Sequence, residues 1–426
     1  MITFGLKKFT SKYQFYSKLT CFSAALLLSA CGAENASISQ KTQGGAAVAE
    51  NVQAQPAFPS SEQVLSDIEK VANWQLPRLD SLAYIQFKRD ESLEAKRWVQ
   101  AVFYTGLKNL AERSANPTYK RWIGYKGNEW DWQLGPIPYY GDDQLIADTY
   151  IWYYNHQQQD PKILAATQKA FDDVIAANYT VDLELTRELI VDDGHKIHAC
   201  QTRWCWADAL FMAPPSWFAL TKATGDPKYA DYAHKEMQAT IDYLYDENYK
   251  LFYRDSRFKD KKGDFGEQIF WARGTGWVFA GLARAMEYID KNDPRRAVYE
   301  KVFVDMARKL KSLQKHDGSW AMSLLAHEKS PLPETSGTAL FTFGFAWGLN
   351  NGLLAESEYL ETTAKGWQLL NSAVHPDGKL GWVQAIGAAP GQVSKDDSQI
   401  YGVGAYLLAG SEIYDFMLAK EQKGRM

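Results

Sequence analysis

The chain has 426 residues, 46% hydrophobic and 23% charged, with a formal net charge of −4. That is enough apolar sequence for a large core, and the balance is too acidic for nucleic acid to be the main partner. Aromatic residues stand out, with 15 Trp, 24 Tyr and 20 Phe, which serve either a big interior or the wall of a cleft that stacks flat ligands.

The first predicted element is a targeting segment. Lys7, Lys8, Lys12 and Lys18 precede an apolar run from Cys21 to Ala30, too short to span a bilayer and suited to a signal peptide. It ends Leu28-Ser29-Ala30-Cys31, similar to a bacterial lipobox, so residues 1–31 are expected to be a lipoprotein leader with lipid on Cys31. Gly32 in place of an acidic residue points to the outer membrane, facing the periplasm or the cell surface. The alternative is an ordinary cleaved signal with an incidental cysteine. Residues 32–60, rich in Ala, Gln, Ser and Asn, read as a flexible tether, which leaves 61–426 as the catalytic domain. The lipid is the only membrane contact expected.

Within that domain a weak repeat appears. Polar clusters near Arg97, Asp142, Trp204, Trp271, Glu334 and Asp396 each open a long helix rich in Ala, Gly and aromatic residues. Between them lie helices with one apolar stripe and one charged face, three of them started by Asp-Pro at Pro161, Pro227 and Pro294. Apolar helices alternating with amphipathic ones about six times predict an all-α double ring, an (α/α)6 barrel. The N-termini of the inner helices would gather the polar clusters into one bowl.

Several clusters carry chemistry. Asp208 in WCWADALFMAPP lies among Trp204, Trp206, Phe211 and Met212, where desolvation would raise its pKa as a general acid requires. Capping a helix with that side chain is the competing reading. Asp142 and Asp143 are adjacent, so one is expected to cap and the other to face the bowl, making a carboxyl pair with Asp208. Trp271, Arg273 and Trp277 offer an arginine fork for a carboxylate between indole platforms; otherwise Arg273 pairs with Asp208 or another acid. Glu334 and Thr338 bring hydroxyls and a cap to a helix start. Cys200 and Cys205 are a possible disulfide whose geometry the spacing leaves open. The seven histidines show no metal-ligand spacing, so no metal or cofactor is expected.

The stretches GDDQLIADTY, WADALFMAPP, LFYRDSRF, WARGTGWVFAGL and ETSGTALFTFG, in that order across residues 95–410, resemble glycoside hydrolase family 105, related to family 88. The resemblance implies an (α/α)6 barrel that removes a 4,5-unsaturated uronic acid from the non-reducing end of lyase-generated oligosaccharides. By resemblance Asp208 is the catalytic acid and base, Asp143 the second acid, and Trp271, Arg273 and Trp277 hold the uronate. Asp142, Arg254, Trp204 and Thr338 are further substrate contacts, and Arg254 stands where some members have histidine. The implied reaction is hydration of a vinyl ether: Asp208 protonates C4, Asp143 stabilises the cation, and water adds at C5. A polysaccharide lyase on a similar toroid and a non-catalytic glycan-binding lipoprotein are the alternatives.

Overall fold

The computed structural model describes residues 58–81, 83–85, 97–137, 139–185, 189–192, 195–198, 200, 202–330 and 332–424. They belong to one unit, 54–426. The expected leader, the lipidation site Cys31 and all but the last residues of the expected tether lie outside the described residues.

In chain order the helices are α1 (Ser61–Gln75), α2 (Trp98–Arg113), α3 (Thr118–Glu129), α4 (Gly141–Gln144), α5 (Ile146–His156), α6 (Lys162–Ala177), α7 (Ala209–Met212), α8 (Pro214–Thr224), α9 (Lys228–Leu244), α10 (Ala272–Met286), α11 (Pro294–Ser312), α12 (Thr335–Asn350), α13 (Glu356–Ser372) and α14 (Ile400–Gly424). A hairpin pairs β1 (Leu189–Asp192) with β2 (His195–His198), and a shorter one pairs β3 (Tyr245–Asp246) with β4 (Leu251–Phe252). Among the described residues no helix is long and apolar enough to cross a membrane.

Neighbour relations close a ring. Helix α2 touches α5, α5 touches α8, and the sequence continues through α10, α12 and α14 back to α2. Outside it α3, α6, α9, α11 and α13 each pack on an inner helix, and α1 packs on α14 and α2. This is the (α/α)6 barrel that the alternation predicted. The composition explains the sorting. Every residue of α10 is buried, so it has no face to give to water. In α9 the buried positions Tyr229, Ala230, Ala233, Met237, Ile241 and Leu244 recur at helical spacing along one stripe. Closure at α2 and α14 is backbone to backbone: a Cβ on Gly404 would stand 2.2 Å from the Val102 carbonyl oxygen.

Two inner helices start with a break. Helix α4 ends after one turn and the chain re-enters a helix at Ile146; α7 ends at Met212 and Pro214 opens α8. These short turns, α4 and α7, touch each other and bring Asp142 and Asp208 to the bowl.

Candidate active site

A pocket of about 170 Å³ opens where the N-terminal ends of the inner helices meet. It is lined by Trp98 at the start of α2, Tyr140 and Asp142 at α4, Trp206, Asp208 and Met212 at α7, Arg254 after β4, Arg273 and Trp277 on α10, and Ile386, Gly387 and Ala388 from the loop before α14. It is the size of a single sugar ring, walled by indoles and furnished with two carboxyls and two guanidinium groups.

Asp208 occupies the N-cap position of α7, but its side chain makes no capping bond. Instead Oδ2 accepts from Arg254 Nε at 3.1 Å. The guanidinium of Arg254 lies over the Trp206 ring, 4.9 Å from its centre, and its Nη1 donates to Asp255 Oδ2 at 2.8 Å. Its other terminal nitrogen, Nη2, makes no hydrogen bond among the described residues. The main chain locks the pair together, since Ala207 N donates to the Arg254 carbonyl at 2.8 Å.

The adjacent aspartates divide differently from expectation. Asp142 lines the pocket, while Asp143 is turned away from it. Asp143 is buried under Arg97, whose Nη1 lies 3.2 Å from both carboxylate oxygens, and it accepts from Ile137 N at 3.0 Å. Its carboxylate therefore pins the turn at 135–137. The second acid of the bowl is Asp142. The Tyr140 hydroxyl donates to Asp142 Oδ2 at 2.5 Å. Burial pushes the Asp142 carboxyl up to about 7, and the negative charges of Asp208 and Asp143 add to this against the Tyr140 bond and the Arg254 charge.

Arg273 and Trp277 reach the pocket, whereas Trp271, Trp204 and Thr338 are not among its lining residues. Arg273 is not a bare fork. Its Nη1 donates to the Gln384 carbonyl at 3.2 Å and to the Tyr401 hydroxyl, and its Nη2 donates to the carbonyls of Ala385 at 3.1 Å and Gly387 at 3.4 Å. Trp271 stacks under that guanidinium at 4.3 Å and donates from Nε1 to Gln384 Oε1 at 3.0 Å. The pair holds the loop that forms one pocket wall. Trp204 packs edge-on to Trp217 and Tyr232 in the core. The Thr338 hydroxyl donates to the Glu334 carbonyl at 2.6 Å, and the Glu334 carboxylate caps α12 through Ser336 N and Gly337 N.

Sequence reasoning missed Trp98, Tyr140 and the 386–388 wall. Tyr140 adjoins the acidic pair and was within reach, but Ile386, Gly387 and Ala388 carry no reactive group to draw attention. Cys200 and Cys205 are joined by a disulfide with Cα atoms 5.1 Å apart, just ahead of Trp206 and Asp208. Among the described residues no group of three or more His, Cys, Asp or Glu is placed to hold a metal ion.

Below the pocket a buried ionic cluster ties three inner helices together. Asp148 of α5 meets Lys108 of α2 at 2.8 Å and Arg284 of α10 at 2.7 Å. Arg284 also donates to the Phe211 carbonyl at 2.6 Å, so the cluster supports α7, which starts at Asp208.

Comparison with known proteins agrees with this architecture. The chain is 39% identical over 394 residues, 91% of its length and 95% of the relative's, to an unsaturated 3S-rhamnoglycuronyl hydrolase of Alteromonas sp. (strain LOR). A solved structure of a glycosyl hydrolase family 88 protein from Bacteroides vulgatus superposes with a TM-score of 0.71 at 29% identity, covering 84% of this chain and all of that one (100%). A solved structure named as a polysaccharide lyase matches with a TM-score of 0.71 at 29% identity, over 84% of this chain and 98% of the other. The model of Glycosyl Hydrolase Family 88 matches residues 67–417, which is most of the folded unit. With its ring of helices and its paired carboxyls, the chain belongs to glycosyl hydrolase family 88.

Proposed function

We propose that this glycosidase removes a 4,5-unsaturated uronyl residue from the non-reducing end of lyase-generated oligosaccharides, with a rhamnose-containing product of the kind named for the Alteromonas relative as first substrate to try. The observation that carries the reading is the pocket itself: two carboxyls, Asp142 and Asp208, face one cavity of sugar size beside Arg254.

The unsaturated sugar is a vinyl ether bearing a carboxylate, and it needs one proton at C4. Near neutrality burial leaves the Asp142 carboxyl poised to hold a proton in the same pocket as Asp208, and Asp142 passes that proton to its neighbour. Asp208 delivers it to C4. Asp142 remains as a carboxylate beside the positive charge developing at C5 and the ring oxygen. Asp208, now ionised, takes a proton from water as that water adds at C5. The hemiketal formed opens the ring and expels the remaining oligosaccharide. Arg254 is the better candidate for the substrate carboxylate because Nη2 is uncommitted, whereas the terminal nitrogens of Arg273 hold the 384–387 carbonyls. Trp206, Trp277 and Trp98 supply stacking surface.

A lyase, the other reading that a structural neighbour favours, creates the conjugated double bond that this reaction destroys. Incubation with lyase-generated disaccharides decides between them: ultraviolet absorbance of the double bond falls for the hydrolase and rises for a lyase acting on polymer. Asp208→Asn should lower turnover by about 10²–10⁴-fold while oligosaccharide binding persists; normal turnover in that variant removes Asp208 from its role. We also infer anchoring in the cell envelope through lipid on Cys31, supported by the basic residues and apolar run ahead of it. Metabolic labelling with a fatty acid, lost in Cys31→Ser, is the expected result.

A further inference from the structure

The hydroxyl of Tyr140 belongs to neither the proton donor nor the sugar-stacking wall, yet it lines the pocket. Its ring is held edge-on to Trp206 with centres 5.6 Å apart at 88°. Its backbone is fixed as well: Tyr140 N donates to the Ile137 carbonyl at 2.9 Å, and its own carbonyl accepts from Asp143 N and Gln144 N at 3.0 and 3.2 Å, which starts α4. Ring and main chain so placed leave the hydroxyl one direction, onto Asp142 Oδ2 at 2.5 Å. We propose that Tyr140 is a positioning residue that fixes the orientation of the Asp142 carboxyl and sets the proton affinity of the Asp142–Asp208 pair. This rests on the reading of that pair as the proton-handling machinery.

Burial and the adjacent negative charge hold the tyrosine proton far above its ordinary range, so the hydroxyl remains a donor throughout the working pH range. A fixed donor favours the ionised carboxylate and restrains the proton affinity that burial confers. The groups facing Asp142 are Tyr140 from the preceding turn, Asp143 on its own helix, Asp208 at α7 and Arg254 after β4, with Arg273 of α10 lining the same pocket. Of these only Tyr140 donates a recorded hydrogen bond to Asp142. Tying down Oδ2 also leaves Oδ1 as the oxygen available to the substrate.

The test is Tyr140→Phe in the full folded chain, with the pH dependence of kcat/KM measured from pH 5 to 9. Loss of the donor raises the proton affinity of the pair, so the alkaline limb moves up by about one pH unit. A plateau change with an unmoved limb makes the tyrosine a packing residue and overturns the proposal. Replacing Tyr140 with 3-fluorotyrosine, a more acidic donor of nearly the same shape, should move the limb the other way; equal limbs in the two variants also overturn it. Carbon NMR titration of labelled aspartate carboxyls in wild type and Tyr140→Phe reads the same shift without substrate. If that shift appears while the wild type leaves unsaturated oligosaccharides intact, the proposed reaction fails and the role of Tyr140 stands. If turnover occurs and no shift appears, the reverse holds.

Discussion

Replacing Asp142 with asparagine should stabilise the fold while disabling the enzyme. Asp142 is buried, with 8% of the residue exposed, and its pKa is raised from 3.8 to about 7, chiefly by burial. Between those two pH values the folded chain keeps a proton that the unfolded chain has released. Stability therefore falls as pH rises through that window and stays low above it. At 1.36 kcal/mol per pK unit the penalty reaches about 4 kcal/mol above pH 7 and is less than half of that at pH 5. Asparagine has nearly the same shape, can still accept from Tyr140, and carries no charge to desolvate. Thermal and urea unfolding of Asp142→Asn against wild type at pH 8, 6.5 and 5 should show a gain that shrinks steadily on acidification, worth several degrees in Tm at pH 8. Turnover of an unsaturated disaccharide should fall by about 100-fold or more. A variant no more stable than wild type at pH 8, or equally stabilised at pH 8 and 5, would refute the claim that this carboxyl is held against its charge.

Two other substitutions test the surroundings. Arg254→Lys keeps one charge but loses the planar fork that serves Asp208 and Asp255; KM for the uronate should rise about tenfold or more, and an unchanged KM would return the substrate carboxylate to Arg273. Asp148→Asn leaves Lys108 and Arg284 without their carboxylate at 2.8 and 2.7 Å, and equilibrium unfolding at pH 7 should report a loss of about 3–5 kcal/mol, whereas a loss under 1 kcal/mol would make the cluster incidental.

The ring was legible because burial writes itself into composition. A segment such as Ala272–Met286, buried at every residue, cannot be mistaken for α9 with its single stripe, and their alternation dictates an inner and an outer layer. Asp208 was legible as an acid among indoles, and Trp206 and Trp277 do line the pocket with it. The choice between Asp142 and Asp143 was not, because it turns on a one-turn helix and on Arg97, 46 residues away. That Arg273 also holds backbone carbonyls more than 110 residues downstream was not legible, because no side-chain pattern announces such partners. Trp204 and Trp206 sit two apart, and only the fold says which reaches the pocket.

The inner ring is a circle of neighbours in which α2, an early helix, is flanked by α14, the last. A ribosome releases α2 long before its partner exists. Until residues 400–424 arrive, the backbone groove beside Gly106, shaped to receive Gly404 at contact distance, has nothing to fill it. Five of the six walls can assemble as the chain emerges, but the bowl becomes a bowl only at the end, and loss of that final helix would leave an open crescent with its apolar seam exposed to the folding machinery of the cell.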